Sequence, residues 1–567
     1  MVVWGEVKRW APGPLLGAVG PMNDAYNKIV ALSDDLRDIN TPDGWRGDAA
    51  SAAAGQVDQI IDGLEEYAAE IAAGRRSVGD TGDAISGVVH GVVEVEGLAT
   101  SHHFTIADSG AIVDNGPPPD TPDDQKQAVA RDRQKIAAEL RDRIDQVIRS
   151  ATDVDDDFCV VLDRILSGHT IDAAANDNEH TSLAAAANAG DAVGSLTIPA
   201  PPPEGATVAQ NAAYWATLSE GQRTRLAMDR PELVGPRDGF SAVQRDIANR
   251  TLMERARTRL QHERDLLQKK IDDFPRLPSG ELKLNDRLAF DRLKADLETL
   301  DKKLRGIDSV SQRLEPEIPG RPPAYLLGIN GDNVGQAIVA IGNPDTAANV
   351  ATYVPGTFAG LDGMATDINR SDLMVRAAED AGSRSTSVIT WAGYDAPQSL
   401  PAAGSTDYAD GGAPRLDRFQ DGLAASHDPK NPMNSTVIGH SYGTTVVGHA
   451  ARDLGLNTGN VVFVASPGVG VDQASQLHLD GVSQNQVPSH VHSTIALTDP
   501  IGHLTNIHNP MADSVDPLGP DPADRRFGGD VFESNMTNPA TSHSDYWNRG
   551  STSLRGMGEV IAGRAPT

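Results

Sequence analysis

The chain is short of cysteine, of aromatic residues and of positive charge. A single cysteine in 567 residues, Cys159, allows no intramolecular disulfide and no cysteine-based zinc cluster, so the chain can fold in a reducing or an oxidising compartment. Lys and Arg number 49 against 79 Asp and Glu, a formal charge of −30. Spread over a surface, that charge repels nucleic acid and anionic headgroups, and no nucleic-acid partner is expected. No window reaches 18 apolar residues, which argues against an integral membrane protein. The opening MVVWGEVKRWAPGPLLGAVG has no cationic segment followed by an apolar core, so a Sec-type signal peptide is not expected.

What is present falls into blocks. Residues 21–75 have the pattern of a helical hairpin: Tyr26, Ile29, Val30, Leu36 and Ile39 recur at helical spacing, Thr41-Pro42-Asp43-Gly44 interrupts, and Val57, Ile60, Leu64, Tyr67, Ala68 and Ile71 resume. A weaker, glycine-interrupted helix is expected over 77–106, and another from Gln125 to about Leu166 after the DNGPPPDTPDD loop. The domain division expected is a helical region over 1–170, a Pro/Ala-rich linker over 171–205, a helical segment over 206–320 with a long charged hairpin, and an α/β domain over 321–567. Ser219 and Gln222 form a capping pattern at one helix start, and the hairpin is expected to turn near 275–280 with its charges in solvent. From Ala324 onward, short β-branched runs (AYLLGI, QAIVAI, VATYV, SVITW, STVIG, VVFVA, HVHSTIAL) alternate with helical text, the pattern of a mostly parallel sheet covered by helices.

Within that region stands VIGHSYGTTVVGHA, residues 437–450. Gly-x-Ser-x-Gly alone is a weak signal, but here a strand precedes it and a helix follows. A nucleophilic serine needs that setting, because a sharp strand-to-helix turn lifts its hydroxyl above the sheet and leaves no room for flanking Cβ atoms. Serine also needs a base, and the base a carboxylate to fix its tautomer. In the order Ser, acid, His, the candidates are Ser441, Asp499 in TDPI and His543 in HSDYW, with Asp513 and Asp516 as alternative acids and His503 and His508 as alternative bases. His440 is expected to be a packed neighbour, and Ser544 with Asp545 a cap for the last helix. The oxyanion donors expected are the N–H groups of Tyr442 and of Thr357 or, second, Phe358 in VATYVPGTFAG. Phe358, Trp391 and Tyr394 are candidates to line an apolar acyl pocket. GINGDNVG does not match a dinucleotide fingerprint and has the look of a strand-to-strand turn. His503 and His508, five apart, are poorly spaced for a metal, and the chemistry outlined requires no cofactor.

GHSYG, YVPGTFAG, VITWAGYDAP, TDPIG and HSDYWNRGSTSL, with the preceding WATLSEGQRTRLAMDRPELVGPRDGFSAVQRDIANR, resemble an actinobacterial α/β-hydrolase family common in mycobacteria and first catalogued as a domain of unknown function. The resemblance covers about 210–567. It implies an α/β-hydrolase fold, Ser441, Asp499 and His543 as a triad, and a loop near the site over Trp391 to Pro397, including Tyr394 and Asp395. It implies no particular substrate. A serine hydrolase of the esterase or lipase-like type, acting on a small acyl ester or a lipid, is the expected activity; the alternative is a non-enzymatic interaction protein built on an inactive hydrolase scaffold. The N-terminal hairpin, with Trp45-Arg46-Gly47 at its turn, resembles the WXG-type hairpins of type VII secretion substrates, although Ile71 stands where their export tag carries an acid. That resemblance implies a WXG-type partner or self-association, and a location either cytoplasmic or reached by a signal-less export route.

Overall fold

A computed structural model describes residues 2–39, 44–117, 121, 126–167, 182–277, 279–315, 320–505 and 518–567. The chain divides into two compact units: residues 1–119 with 133–223, and residues 120–132 with 224–567.

The first unit is almost wholly helical. Its elements are α1 (Trp4–Val7), α2 (Gly13–Ile39), α3 (Asp48–Ser101), a two-stranded ribbon of β1 (Phe104–Ile106) and β2 (Ile112–Asp114), α4 (Lys126–Leu166) from Arg133 onward, α5 (Leu183–Gly194), α6 (Val208–Ala216) and the start of α7 (Glu220–Asp229). The second helix of the hairpin expected over 21–75 and the helix expected over 77–106 are one: the glycines of the second stretch are absorbed into the 54-residue α3, which ends at Ser101. Trp4, Val88, Phe104, Leu140 and Val147 form the buried core of this unit. Residues 183–194, expected as linker, instead form α5. Its Gly190 and Gly194 pack so closely on α3 that a Cβ on either would lie 2.0 Å from the carbonyl oxygen of Ala69 or Ala73. Small residues permit that approach, and the Ala/Gly composition that resembles a linker is what the packing requires. The Ser219–Gln222 pattern is realised reciprocally at the start of α7.

The second unit begins with α8 (Pro231–Val234) and a long hairpin of α9 (Ala242–Asp272) and α10 (Arg287–Leu314). An eight-stranded sheet follows: β3 (Ala324–Asn330), β4 (Gln336–Ile341), β5 (Asn349–Val354), β6 (Thr386–Ala392), β7 (Asn434–His440), β8 (Asn460–Val464), β9 (Val491–Thr494) and β10 (Asp530–Val531). Between and after them lie α11 (Met364–Asp380), α12 (Asp407–Ser426), α13 (Tyr442–Asp453), α14 (Pro500–Thr505) and α15 (Thr552–Ile561). The strand order is β10-β9-β8-β7-β5-β6-β4-β3; β4 runs antiparallel to both neighbours and every other pairing is parallel.

The sheet is buried on both faces, which is why its strands are continuous β-branched runs. One core gathers Leu327, Val350, Val437, Phe463 and the inner faces of α12 and α13. The other gathers Val339, Tyr353, Ile438, Val462 and residues of α10, α11 and α15. All parallel strands end at one edge, where crossover loops are free to carry side chains. The turn 331–335, anticipated from GINGDNVG, joins β3 to β4 at that same edge.

Candidate active site

The turn between β7 and α13 is built around glycine. A Cβ on Gly439 would lie 2.6 Å from the Thr444 Cα, one on Gly443 would lie 2.2 Å from the Val354 carbonyl oxygen, and one on Gly356 would lie 2.6 Å from the His440 carbonyl oxygen. These approaches clamp the turn between the ends of β5 and β7. Ser441, at its apex, takes φ 53° and ψ −128°. A non-glycine residue there carries about 1–3 kcal/mol of backbone strain, which the surrounding structure must hold in place. It does so through Ser441 N–H to Val464 O at 2.9 Å and Thr444 N–H to Ser441 O at 3.0 Å.

Asp499 lies beyond the end of β9, 1% exposed. Its carboxylate accepts from His543 Nδ1 at 3.0 and 3.1 Å, from the Tyr546 hydroxyl at 2.7 Å and from the Ile501 N–H at 3.0 Å. Burial by itself raises this carboxyl; the hydrogen bond and charge of His543, with Tyr546 and Ile501, more than offset it and hold Asp499 below its ordinary value. It is therefore ionised at neutral pH. Since the carboxylate takes Nδ1–H, the neutral imidazole of His543 has its lone pair on Nε2.

His440, next to Ser441, is fully buried in the second unit's interior, and burial, reinforced by the charges of Arg370 and His543, pushes it far below the usual histidine range. As a neutral ring its Nε2 bonds to the His543 carbonyl oxygen at 2.9 Å. It packs edge-on against Trp547 at 4.9 Å, and Arg370 covers the Trp547 ring at 4.4 Å. The expectation of a packed neighbour is met, with the addition that His440 anchors the backbone of His543.

The loop after β5 borders the elbow. Tyr394 donates its hydroxyl to Pro355 O at 2.8 Å, and Gln398 donates to Ala359 O at 3.1 Å. The N–H of Phe358 is given to Pro397 O at 2.9 Å, so the second choice of oxyanion donor is already committed, whereas Phe358 itself is exposed at φ 68°. Trp391 and Tyr394 need correcting as pocket-lining residues. They are 1% and 2% exposed, stacked on each other at 6.0 Å, and belong to the core beneath the loop. Asp395 accepts from Gln336 Nε2 at 3.1 Å and ties this loop to the start of β4. The cap of α15 is Ser551, which accepts from Leu554 N–H; Asp545 instead accepts from Thr541 Oγ1 at 2.7 Å. His508, Asp513 and Asp516, and the side chain of His503, lie outside the described residues.

Tyr546 was invisible to sequence reasoning as a partner of Asp499, because its only local signal is an aromatic three residues after His543. Among the described residues, Asp132, His478 and Asp480 are a group of ligand-type side chains close enough to share a cation. His478 is already engaged there by Asp480 and Gln484, and the Asp480 contact raises its pKa.

Residues 330–508 match the model of a family described as alpha/beta hydrolase. An uncharacterized protein of Mycobacterium tuberculosis is 30% identical over 390 residues, covering 64% of this chain and 56% of its own length. The chain thus spans little more than half of that relative. An uncharacterized protein of Mycobacterium bovis is 30% identical over 178 residues, covering 30% of this chain and 62% of that protein. Among solved structures, the esterase LipW from Mycobacterium marinum aligns with a TM-score of 0.27 at 13% identity, covering 46% of this chain and 86% of that one. A hyperthermophilic esterase from Pyrobaculum calidifontis aligns with a TM-score of 0.28 at 12% identity, covering 50% of this chain and 98% of that one. The sheet order, the elbow and the family match together make the C-terminal part an α/β-hydrolase fold.

Proposed function

We propose that the second unit is a serine hydrolase that cleaves an ester or related acyl bond. One observation carries the reading: a serine at positive φ on a glycine-clamped strand-to-helix turn shares its sheet edge with a histidine whose Nδ1 is held by a buried carboxylate. Ser441 is the nucleophile, His543 the base and Asp499 the group that fixes the base's tautomer.

In the first step Ser441 Oγ attacks the acyl carbon as its proton passes to His543 Nε2. The imidazolium so formed is stabilised by the Asp499 carboxylate, which stays ionised. The negative charge growing on the carbonyl oxygen is met by the N–H groups of Tyr442, at the N-terminus of α13, and of Thr357, beside the elbow. His543 then gives its proton to the leaving oxygen, the C–O bond breaks, and an acyl group remains on Ser441. Water, deprotonated by His543, attacks that acyl carbon; collapse returns the proton to Ser441 Oγ and releases the acid.

Labelling with a fluorophosphonate tests the reading, because the probe phosphonylates only an activated serine. The expected result is an adduct on the Ser441 peptide, identified by mass spectrometry, absent from Ser441→Ala and slowed at least about a hundredfold in His543→Ala. A folded wild-type protein without an adduct would leave the unit a hydrolase scaffold without hydrolase chemistry.

A further inference from the structure

The second unit carries an arm that the chemistry above does not use. Leu260 of α9 is level with Gly331, in the turn between β3 and β4, and Arg259 pairs there with Asp332 at 2.8 Å. The same turn contacts the site loops, since Val334 O accepts from Leu361 N–H. The α9–α10 hairpin therefore passes the sheet at the edge that holds Ser441. Beyond Leu260, α9 continues to Asp272, about 18 Å further at 1.5 Å per residue.

The arm's end is ordered by its own contacts. Phe274 meets Phe290 edge to face at 5.1 Å, and Lys294 lies over the Phe290 ring at 4.8 Å. Leu284 and Leu288, four residues apart, are 79% and 84% exposed, with Leu266 and Leu277 also in solvent. Arg264 pairs with Asp301 across the hairpin, so its outer part runs over 266–299, where seven Lys and Arg balance seven Asp and Glu in a chain whose overall charge is −30. Large apolar side chains interleaved with cations on a protrusion form an interfacial pattern. The acidic remainder of the chain would be held off an anionic surface, which favours contact through this end.

The mouth of the site has the same apolar character. Phe358, Leu400, Leu497 and Met536 are 55%, 71%, 77% and 70% exposed. Phe358 and Leu400 lie on segments joined by the Phe358 N–H to Pro397 O bond. Leu497 and Met536 flank the Thr537 N–H to Thr498 Oγ1 contact. All four occupy loops around Ser441 and Asp499, where water-exposed apolar side chains mark a surface that meets apolar matter.

We infer that this unit docks on an anionic lipid–water interface through the tip of the α9–α10 hairpin and the apolar rim of its site, and that its substrate is an ester with an acyl chain resident in that interface. The substrate class rests on the serine-hydrolase reading; the docking does not.

The full chain is floated with phosphatidylcholine vesicles with and without phosphatidylglycerol. Binding is expected only with the anionic vesicles, weakening as salt is added. Leu284→Ser/Leu288→Ser and Lys283→Glu/Arg287→Glu are each expected to weaken it about tenfold or more. Both double variants alter exposed side chains, so their turnover of a short soluble ester should equal that of wild type, while hydrolysis of a long-chain ester held in the anionic vesicles falls with binding. Wild-type binding that is absent, indifferent to phosphatidylglycerol or unchanged in both variants would overturn the inference. Flotation reads docking without turnover and fluorophosphonate labelling reads the chemistry without vesicles, so failure of one is separable from failure of the other.

Discussion

Gly443→Ala is a sharp perturbation of the elbow because its obstacle is backbone. The added Cβ would sit 2.2 Å from Val354 O and 2.9 Å from Pro355 O. Ordinary contact begins near 3.4 Å, so the first turn of α13 and the end of β5 must separate by about 1.2 Å. No rotamer relieves the clash, and overpacking of this kind typically costs about 1–3 kcal/mol of stability. In the proposed mechanism the separation moves the Tyr442 N–H away from that of Thr357, the two donors assigned to the developing oxyanion, and misplacements of about 1 Å cost on the order of a hundredfold in rate. Gly411→Ala is the control. It lies exposed inside α12, at negative φ, with nothing within 4 Å of its Cβ, so helix propensity alone makes it neutral or stabilising by up to about 1 kcal/mol. The assay is the rate of fluorophosphonate labelling beside a thermal melt for wild type and both variants. Gly443→Ala is expected to label on the order of a hundredfold more slowly while still folding, and Gly411→Ala to label as wild type. If Gly443→Ala labels at the wild-type rate, the clamp between β5 and α13 does not set the serine's geometry and the steric reasoning is wrong.

Two further outcomes follow from buried carboxylates. Tyr546→Phe removes the 2.7 Å hydrogen bond to Asp499 and leaves the Ala496 N–H, now bonded to that hydroxyl at 3.0 Å, without its partner; turnover should fall about tenfold with KM little changed and the Asp499 carboxyl should titrate at higher pH, and a wild-type pH–rate profile would refute the role. Asp345 is pushed up to about 6 by burial, against the Ala242 N–H and Ser426 hydroxyl that it accepts. A carboxyl raised in the folded state stabilises the fold most below its unfolded value near 4 and loses that contribution as pH rises through about 6. The unfolding free energy of the wild type, from denaturant titrations, should therefore fall between pH 4 and 7 relative to Asp345→Asn, by up to about 3 kcal/mol, and parallel curves for the two would refute the assignment.

How far these features were legible in the sequence depends on the range of the interaction that creates them. The sheet was legible because a strand buried on both faces has a near-continuous run rich in β-branched residues, and NSTVIGH is buried from its second residue onward. The elbow was legible because its steric demands fall within five consecutive residues. The Asp499–His543 pair was reachable across 44 residues only because chain order and strand ends restrict the candidates. Where two environments ask for the same residue type, composition does not separate them. Alanine and glycine suit a flexible connection and also a close helix crossing, so the text of α5 has a linker's composition although Gly190 and Gly194 are fixed by contact with α3. An aromatic at a strand's end suits a pocket wall and also the core, and Trp391 with Tyr394 went to the core, where the Tyr394 hydroxyl still reaches Pro355.

The supports of His543 lay beyond both kinds of reasoning. His440 bonds to the His543 carbonyl across 103 residues, and Tyr546 completes the shell of Asp499 across 47. Neither contact has a spacing that a pattern can capture, yet together they bear on which histidine the proposed reaction can use as base. His440 is next to the serine in sequence but is buried, uncharged and spent on a backbone oxygen. His543 is distant in sequence but stays one-third exposed, with Nδ1 fixed by a carboxylate, so the lone pair of its neutral ring is on Nε2. A base must gain and lose a proton at each turnover; burial, reinforced by the charges of Arg370 and His543, holds His440 well below the usual histidine range, which excludes it from that role, whereas in the proposed reaction the Asp499 carboxylate at Nδ1 of His543 fixes the tautomer a base needs.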